Sequence, residues 1–231
     1  MGLGWRRVTG RTGAPTPGYA PRMTPAVTVF DHPLIQHKLT WMRDRSLSDR
    51  PFRALLAQIA GLMVYEVTRA FPTQGVEVLT PMERTVGRRI TARITVVPVL
   101  RAGLAMAEGI LDIMPEARVG HLGMYRDEKT LRPVPYLQKL PKDLDAGPVL
   151  LVDPMLATGG SASESIAVLR RAGAKDVRFV CLVAAPAGIA RLRSDHADVP
   201  IYAAAVDREL NERGFILPGL GDAGDRLYGT D

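Results

Sequence analysis

At 231 residues, 46% hydrophobic and only 6% aromatic, the chain has room for one well-buried, mainly aliphatic α/β domain. No run approaches the roughly 18 uninterrupted apolar residues of a membrane-spanning helix, and a single cysteine excludes disulfide scaffolds and cysteine-built metal sites. The net charge of +6 would suit a nucleic-acid partner, yet Arg6, Arg7, Arg11 and Arg22 all precede the first acid, Asp31, which leaves +2 for the remainder. That balance fits a soluble enzyme with an anionic substrate.

Residues 1–25 combine Gly, Pro, Thr and Arg without apolar periodicity, the composition of a disordered leader. They lack the apolar core of a secretory signal. Arginine without acid is a trait of mitochondrial transit peptides, but Pro and Gly spoil an amphipathic helix. Folded sequence begins after Met23, which leaves an alternative start there open and makes the leader dispensable. The expected organisation is a leader over 1–25 and one domain over 26–231. A first helix is expected from 33 to about 45. A second begins with Ser48 or Asp49 as N-cap and has Pro51 in its first turn. Its Phe52, Leu55, Leu56, Ile59, Met63, Val64 and Val67 recur at helical spacing, which assigns both helices to core or subunit contacts.

From Ile94 onward, short apolar runs alternate with helices. Strands are expected at 94–99, 118–124, 149–153, 177–184 and, last, 201–206. Helices are expected at 103–114, 161–171 (stopped by Gly173) and about 188–193. This alternation implies right-handed crossovers and an α/β fold with a mostly parallel twisted sheet flanked by helices. Residues 125–141, rich in charge and proline, form a long loop or a projecting hairpin. Residues 211–224 are too dense in glycine for a regular element. Cys181, inside an apolar run with no charged neighbour, is a buried strand cysteine rather than a nucleophile. His32, His37, His121 and His196 lack metal-ligand spacing. Without a Gly-x-Ser-x-Gly signature, Ser161, Ser163 and Ser165 are not hydrolase nucleophiles. Dinucleotide and nucleotide-hydrolase glycine motifs are absent as well.

Chemistry concentrates in Val149-Leu150-Leu151-Val152-Asp153-Pro154-Met155-Leu156-Ala157-Thr158-Gly159-Gly160-Ser161. A buried strand ends in a lone carboxylate, the place where ligands sit in open α/β sheets. Gly159 and Gly160 let backbone approach a phosphate, Ser161 can cap the next helix, and the helix N-terminus favours an anion. Together these suit a phosphorylated sugar, with hydroxyls for Asp153 and phosphate for the loop. Arg101 follows the strand at 94–99 and Arg126 the strand at 118–124, so two guanidinium forks can converge on the same crevice to take a diphosphate. Lys129, Arg132, Lys139 and Lys142 make a solvated basic face. The glycine-rich tail offers backbone donors and acceptors able to read a planar base, and Asp222 can face a magnesium ion or a sugar hydroxyl, or cap a turn.

The segments Val97-Pro98-Val99-Leu100-Arg101-Ala102-Gly103-Leu104, Gly123-Met124-Tyr125-Arg126, Val152 to Ser161 and the tail Gly214 to Asp225 together resemble the uracil phosphoribosyltransferases, and the resemblance runs from about Asp31 to the C-terminus. Many phosphoribosyltransferases carry two adjacent acids in the sugar-phosphate loop; here Pro154 takes the second place, as in the uracil branch. The resemblance implies a phosphoribosyltransferase-like fold with N-terminal helices and a base-binding C-terminal hood. It implies conversion of uracil and 5-phosphoribosyl 1-diphosphate (PRPP) to UMP and diphosphate, a step of pyrimidine salvage. Mg²⁺ would be carried mainly by the diphosphate, without a direct protein ligand. Asp153, Pro154, Met155, Leu156, Ala157, Thr158, Gly159, Gly160 and Ser161 would hold the sugar hydroxyls and the 5-phosphate. Arg101 and Arg126 would bind the diphosphate. Ile216, Gly221, Asp222 and Ala223 would hold uracil, largely through backbone, with Asp222 also reaching PRPP. Arg101, Asp153 and Asp222 are thus the catalytic candidates. The resemblance further implies a cytoplasmic homodimer or higher homo-oligomer without nucleic-acid or membrane partners, and leaves allosteric control by GTP open. A competing reading, an RNA-binding regulator on the same fold, predicts a basic folded body and a paired-acid loop, and the chain has neither.

Overall fold

The computed structural model describes residues 27–126 and 133–230, and the expected leader lies outside the described residues. Residues 70–92 form a compact unit of their own, and the rest of the described chain forms the other.

The larger unit opens with β1 (Val27–Val29), α1 (Pro33–Arg43) and α2 (Asp49–Val67). The α1 helix starts at Pro33, whose fixed φ suits a first helical position, and His32 caps it by accepting the Leu34 N–H on Nδ1 (3.2 Å). Its buried Ile35, Leu39 and Met42 lie four and three residues apart, one stripe of a helix. The α2 helix begins after Ser48 and buries every apolar position expected of it.

Then follow β4 (Thr95–Leu100), α3 (Leu104–Ile113), β5 (Arg118–Val119), β6 (His121–Arg126), β7 (Pro133–Lys139), β8 (Val149–Val152) and β9 (Met155–Leu156). The chain continues through α4 (Gly160–Arg171), β10 (Val177–Ala184), α5 (Pro186–Asp195), β11 (Ile201–Val206), β12 (Glu209–Leu210), β13 (Ile216–Leu217) and α6 (Ala223–Tyr228). The main sheet runs β1-β11-β10-β8-β4-β6-β7, with β5 beside β4 and β9 beside β10. Every pair is parallel except β6–β7. Strands β4, β8 and β10 are buried along nearly their whole length, as befits a parallel sheet covered on both faces. Val97, Leu151, Phe179, Cys181 and Ile201 pack with Ile166, Leu169 and Leu192 of α4 and α5. On residues of the other parity, the Arg178 guanidinium reaches the Val67 carbonyl at the end of α2 (3.0 Å).

Topology fixes where a ligand can sit. From β4 the chain moves outward to β6 and β7, then returns to β8 on the opposite side of β4. The sheet therefore has its switch point between β4 and β8, and a crevice opens beyond their carboxyl ends.

The smaller unit is an antiparallel hairpin of β2 (Thr73–Leu79) and β3 (Arg84–Ile90), in register from Thr73–Ile90 to Leu79–Arg84. No sequence pattern announced it, because neither strand has a buried face.

Several expected boundaries move. The 125–141 segment is a hairpin, with β7 returning along β6. The 201–206 strand is not the last: β12 and β13 pair after it, and α6 begins inside the tail that glycine content had marked as irregular. Two paired residues per strand leave no periodicity to detect, and their ladder is made by backbone. The helix expected at 188–193 extends over Pro186–Asp195.

Candidate active site

Asp153 stands at the carboxyl end of β8 and Arg101 follows β4, one on each side of the switch point. Gly103 makes this juxtaposition possible. A Cβ there would lie 2.5 Å from the Val152 carbonyl oxygen and 2.8 Å from Val99 N and O, so only glycine lets the loop after β4 fold against the end of β8. The Leu100–Arg101 peptide is cis. Beyond Asp153 the chain does not loop freely. Pro154 O accepts the N–H groups of Leu182 and Val183 (both 3.1 Å), and Leu156 O accepts that of Ala185 (2.9 Å). The segment thereby becomes the short strand β9 on β10.

At Gly159 the backbone turns left-handed (φ 78°) and the residue acts as N-cap of α4, its carbonyl accepting the Ser163 N–H (2.9 Å). Ser161 was the expected cap; it instead lies inside the first turn and is exposed. Only glycine adopts that left-handed corner without strain, so backbone shape ends the loop and no side-chain hydroxyl is needed. The first-turn N–H groups of α4 have no intrahelical acceptor, which leaves backbone donors of the kind an anion can use.

A cleft of about 260 Å³ lies at this edge. Ala102, Asp153, Met155 and Ala157 form one wall, and Ile216, Gly221, Asp222 and Ala223 the other. The structure thus brings Asp153, Met155 and Ala157 of the expected sugar side together with all four expected base-side residues in a single cavity, and leaves Arg101 and the Thr158–Ser161 turn outside its lining. Thr158 and Ser161 are exposed, whereas Pro154, Leu156, Gly159 and Gly160 are buried and shape the loop from behind. Gly214, Phe215 and Gly224 also line the cleft; they belong to the tail that carries the resemblance, but no binding role was expected of them.

Electrostatics set Asp153 apart. Burial pushes its carboxyl up to about 7; the Met155 N–H, 3.4 Å from Oδ1, pulls the other way, and the like charge of Asp222 adds to the rise. Asp222 caps α6, its Oδ1 accepting the Asp225 N–H (3.0 Å), so its capping and cleft-lining roles coexist. Arg101 is more than half exposed. Its Nη2 lies 3.8 Å from Asp225 Oδ1, its guanidinium 5.5 Å from the centre of the Tyr228 ring, and its carbonyl accepts the Tyr228 hydroxyl (3.2 Å). The guanidinium therefore rests beside α6 rather than on the cleft wall. Arg126 ends β6, and its side chain lies outside the described residues, as do Lys129 and Arg132. Cys181 is buried as expected, and burial, with Asp153 adding to it, pushes its thiol up and out of nucleophilic use. Among the described residues, no three His, Cys, Asp or Glu side chains gather into a metal cage, and no helix is long and apolar enough to cross a membrane.

Residues 29–230 match the family described as "Uracil phosphoribosyltransferase". The chain is 56% identical over 205 residues to the uracil phosphoribosyltransferase of Dictyoglomus turgidum, covering 88% of this chain and 99% of that protein. It is 54% identical over 205 residues to that of Bacillus velezensis, covering 88% and 98%. Among solved structures, the AQ2163 protein from Aquifex aeolicus superposes with a TM-score of 0.85 at 36% identity, over 89% of this chain and 99% of that one.

Proposed function

Because the chain belongs to the uracil phosphoribosyltransferase family and carries its pentosyltransferase activity, we propose how the cleft joins uracil to PRPP to give UMP and diphosphate. The observation that carries the reading is the single cavity lined by Asp153, Met155 and Ala157 after β8 and by Ile216 and Gly221–Ala223 of the glycine-rich tail.

In this reading the α4 N-terminus and the Thr158–Ser161 turn hold the 5-phosphate through backbone N–H groups. Asp153 accepts the ribose hydroxyls, which then replace water around its carboxylate. Arg101 and Arg126 take the diphosphate, for which the planar fork is suited. Bond breaking at the anomeric carbon builds positive charge on the ring, in an oxocarbenium-like state. Held against that carbon, the uracil nitrogen forms the new C–N bond as the bond to diphosphate breaks, its N–H proton passing to water or to the released diphosphate, without a covalent enzyme intermediate. The cleft carboxylates Asp153 and Asp222 repel one another, a pairing that fits a divalent cation arriving on the diphosphate. Bound that way, Mg²⁺ would neutralise the departing diphosphate.

Backbone groups near Ile216 and Gly221–Ala223 read the base. Uracil and cytosine exchange donor and acceptor at two ring positions, so a backbone site satisfied by one leaves the other unpaired, a discrimination of roughly 10⁴-fold or more. Trp41, Tyr65 and Ile113, exposed on α1, α2 and α3, support the homo-oligomer within this reading, which also places the enzyme in the cytoplasm. The deciding experiment supplies PRPP with uracil, cytosine or hypoxanthine and follows diphosphate release. Release with uracil alone is expected, and equal release with a purine would overturn the assignment. Arg101→Ala and Asp153→Asn should each lower turnover or donor binding; normal kinetics in either removes that residue from the mechanism.

A further inference from the structure

Outside the residues that line the cleft, Arg43 pairs with the buried carboxylate of Asp207. Asp207 follows β11, is almost fully buried, and donates its N–H to the Ala184 carbonyl (2.8 Å). Its carboxylate receives both arms of Arg43 from the last turn of α1, Nη1 to Oδ2 at 2.8 Å and Nη2 to Oδ1 at 2.7 Å. Oδ2 also accepts the Gly219 N–H (2.8 Å), and Arg43 Nη1 donates to the Gly219 carbonyl (2.9 Å). Both backbone polar groups of one glycine are thus held by the same pair. Gly219 stands at φ 62°, and a Cβ there would fall 2.1 Å from the Ile216 carbonyl oxygen, so the chain folds back tightly on itself at this point.

Gly219 sits between Ile216 and Gly221, the two backbone stations on the tail's side of the cleft. We propose that Arg43 and Asp207 are positioning residues for base recognition: by clamping the Gly219 peptide they set the spacing and direction of the backbone groups that read uracil. The proposal rests on the assignment of uracil to this wall. Backbone recognition has no side chain of its own to adjust, so its accuracy depends on the shape of the turn. Charge-assisted, bidentate bonds in a buried place are the means of fixing that shape. A displacement of the order of 1 Å in such a turn is enough to cost a large factor in rate.

The test is steady-state kinetics on Arg43→Lys, Asp207→Asn and, as a marker of the wall itself, Gly221→Ala. Arg43→Lys keeps the charge and loses the fork. It should raise the uracil KM about 10-fold, leave the PRPP KM within about two-fold, and narrow the preference for uracil over cytosine. Asp207→Asn should do the same more strongly; if it does not fold, Arg43→Lys decides. A lowered thermal midpoint with unchanged uracil KM and unchanged base preference in Arg43→Lys marks a merely structural pair and overturns the proposal. If Gly221→Ala raises the uracil KM while Arg43→Lys does not, the clamp alone has failed. If both are silent, the placement of uracil has failed and the proposal with it.

Discussion

Asp153 holds its proton differently in the folded and unfolded chain, and this has a measurable consequence. Folding raises its carboxyl from 3.8 to about 7, so between those values the folded state binds a proton that the unfolded chain has released. Stability then falls as pH rises through that window. Asn cannot ionise. The Asp153→Asn protein should therefore match the wild type below the window and exceed it at pH 8, by about 1–2 kcal/mol once water access to the half-open cleft is counted. Thermal melts at the two pH values check this, and an advantage that shrinks with rising pH would contradict it. Under the proposed function the same variant should lose most of its turnover, because the group that costs stability in the free enzyme is the one assigned there to the ribose. Asp222 offers a second handle. Asn is also a good N-cap, so Asp222→Asn should keep α6 folded while removing a like charge from Asp153. The Asp153 carboxyl should then titrate lower, which carboxyl carbon NMR would read directly; an unmoved titration would show that burial alone sets it.

Among elements, the loop between β4 and α3 leaves no room for a side chain at Gly103. Gly103→Ala would place a Cβ 2.5 Å from the Val152 carbonyl oxygen and 2.8 Å from Val99 N and O. All are backbone atoms of adjacent strands that cannot yield. The loop must shift, with a loss of about 2 kcal/mol or more in urea unfolding and a rise in PRPP KM as Arg101 and Asp153 lose their mutual placement. Wild-type kinetics in Gly103→Ala would mean that the loop is free to move. Elements with a buried face were legible in the sequence. The long α2, β10 over Val177–Ala184 and β11 over Ile201–Val206 appear where apolar spacing put them. Elements made by backbone pairing alone were not. The hairpin β2–β3 has no buried stripe, and β12, β13 and β9 have two residues each. The site followed the same division. Asp153 and the Thr158–Ser161 turn stood out because a lone acid and two glycines interrupt apolar sequence. Arg43 and Asp207, far apart in the chain and ordinary in their surroundings, became visible only when the fold joined them at Gly219.

At the level of the whole molecule, every described piece of the cleft lies between Ala102 and Gly224. Among the described residues, the sheet that carries it has β1 at one edge, pairing Val27–Val29 with Ile201–Ala203. Phe30 continues that edge, its N–H donating to the Ala203 carbonyl (2.9 Å) and its carbonyl accepting Gln36 Nε2 (2.6 Å). Residues from Val27 onward therefore take part in the backbone pairing of the sheet that holds β11, which Asp207 follows. The relatives from Dictyoglomus turgidum and Bacillus velezensis align over 205 residues and almost their whole length, and the family match begins at residue 29. A chain starting at Met23 retains all of these contacts. It should keep the wild-type kcat, both KM values and the thermal midpoint, whereas a chain starting at Asp31 removes β1 and should lose stability and raise the uracil KM through β11 and Asp207. Comparing the two truncations by melting and by uracil-dependent diphosphate release separates the contributions: loss of activity in the Met23 chain would assign a role to residues 1–22, and an unaffected Asp31 chain would show that β1 does not brace β11 and Asp207.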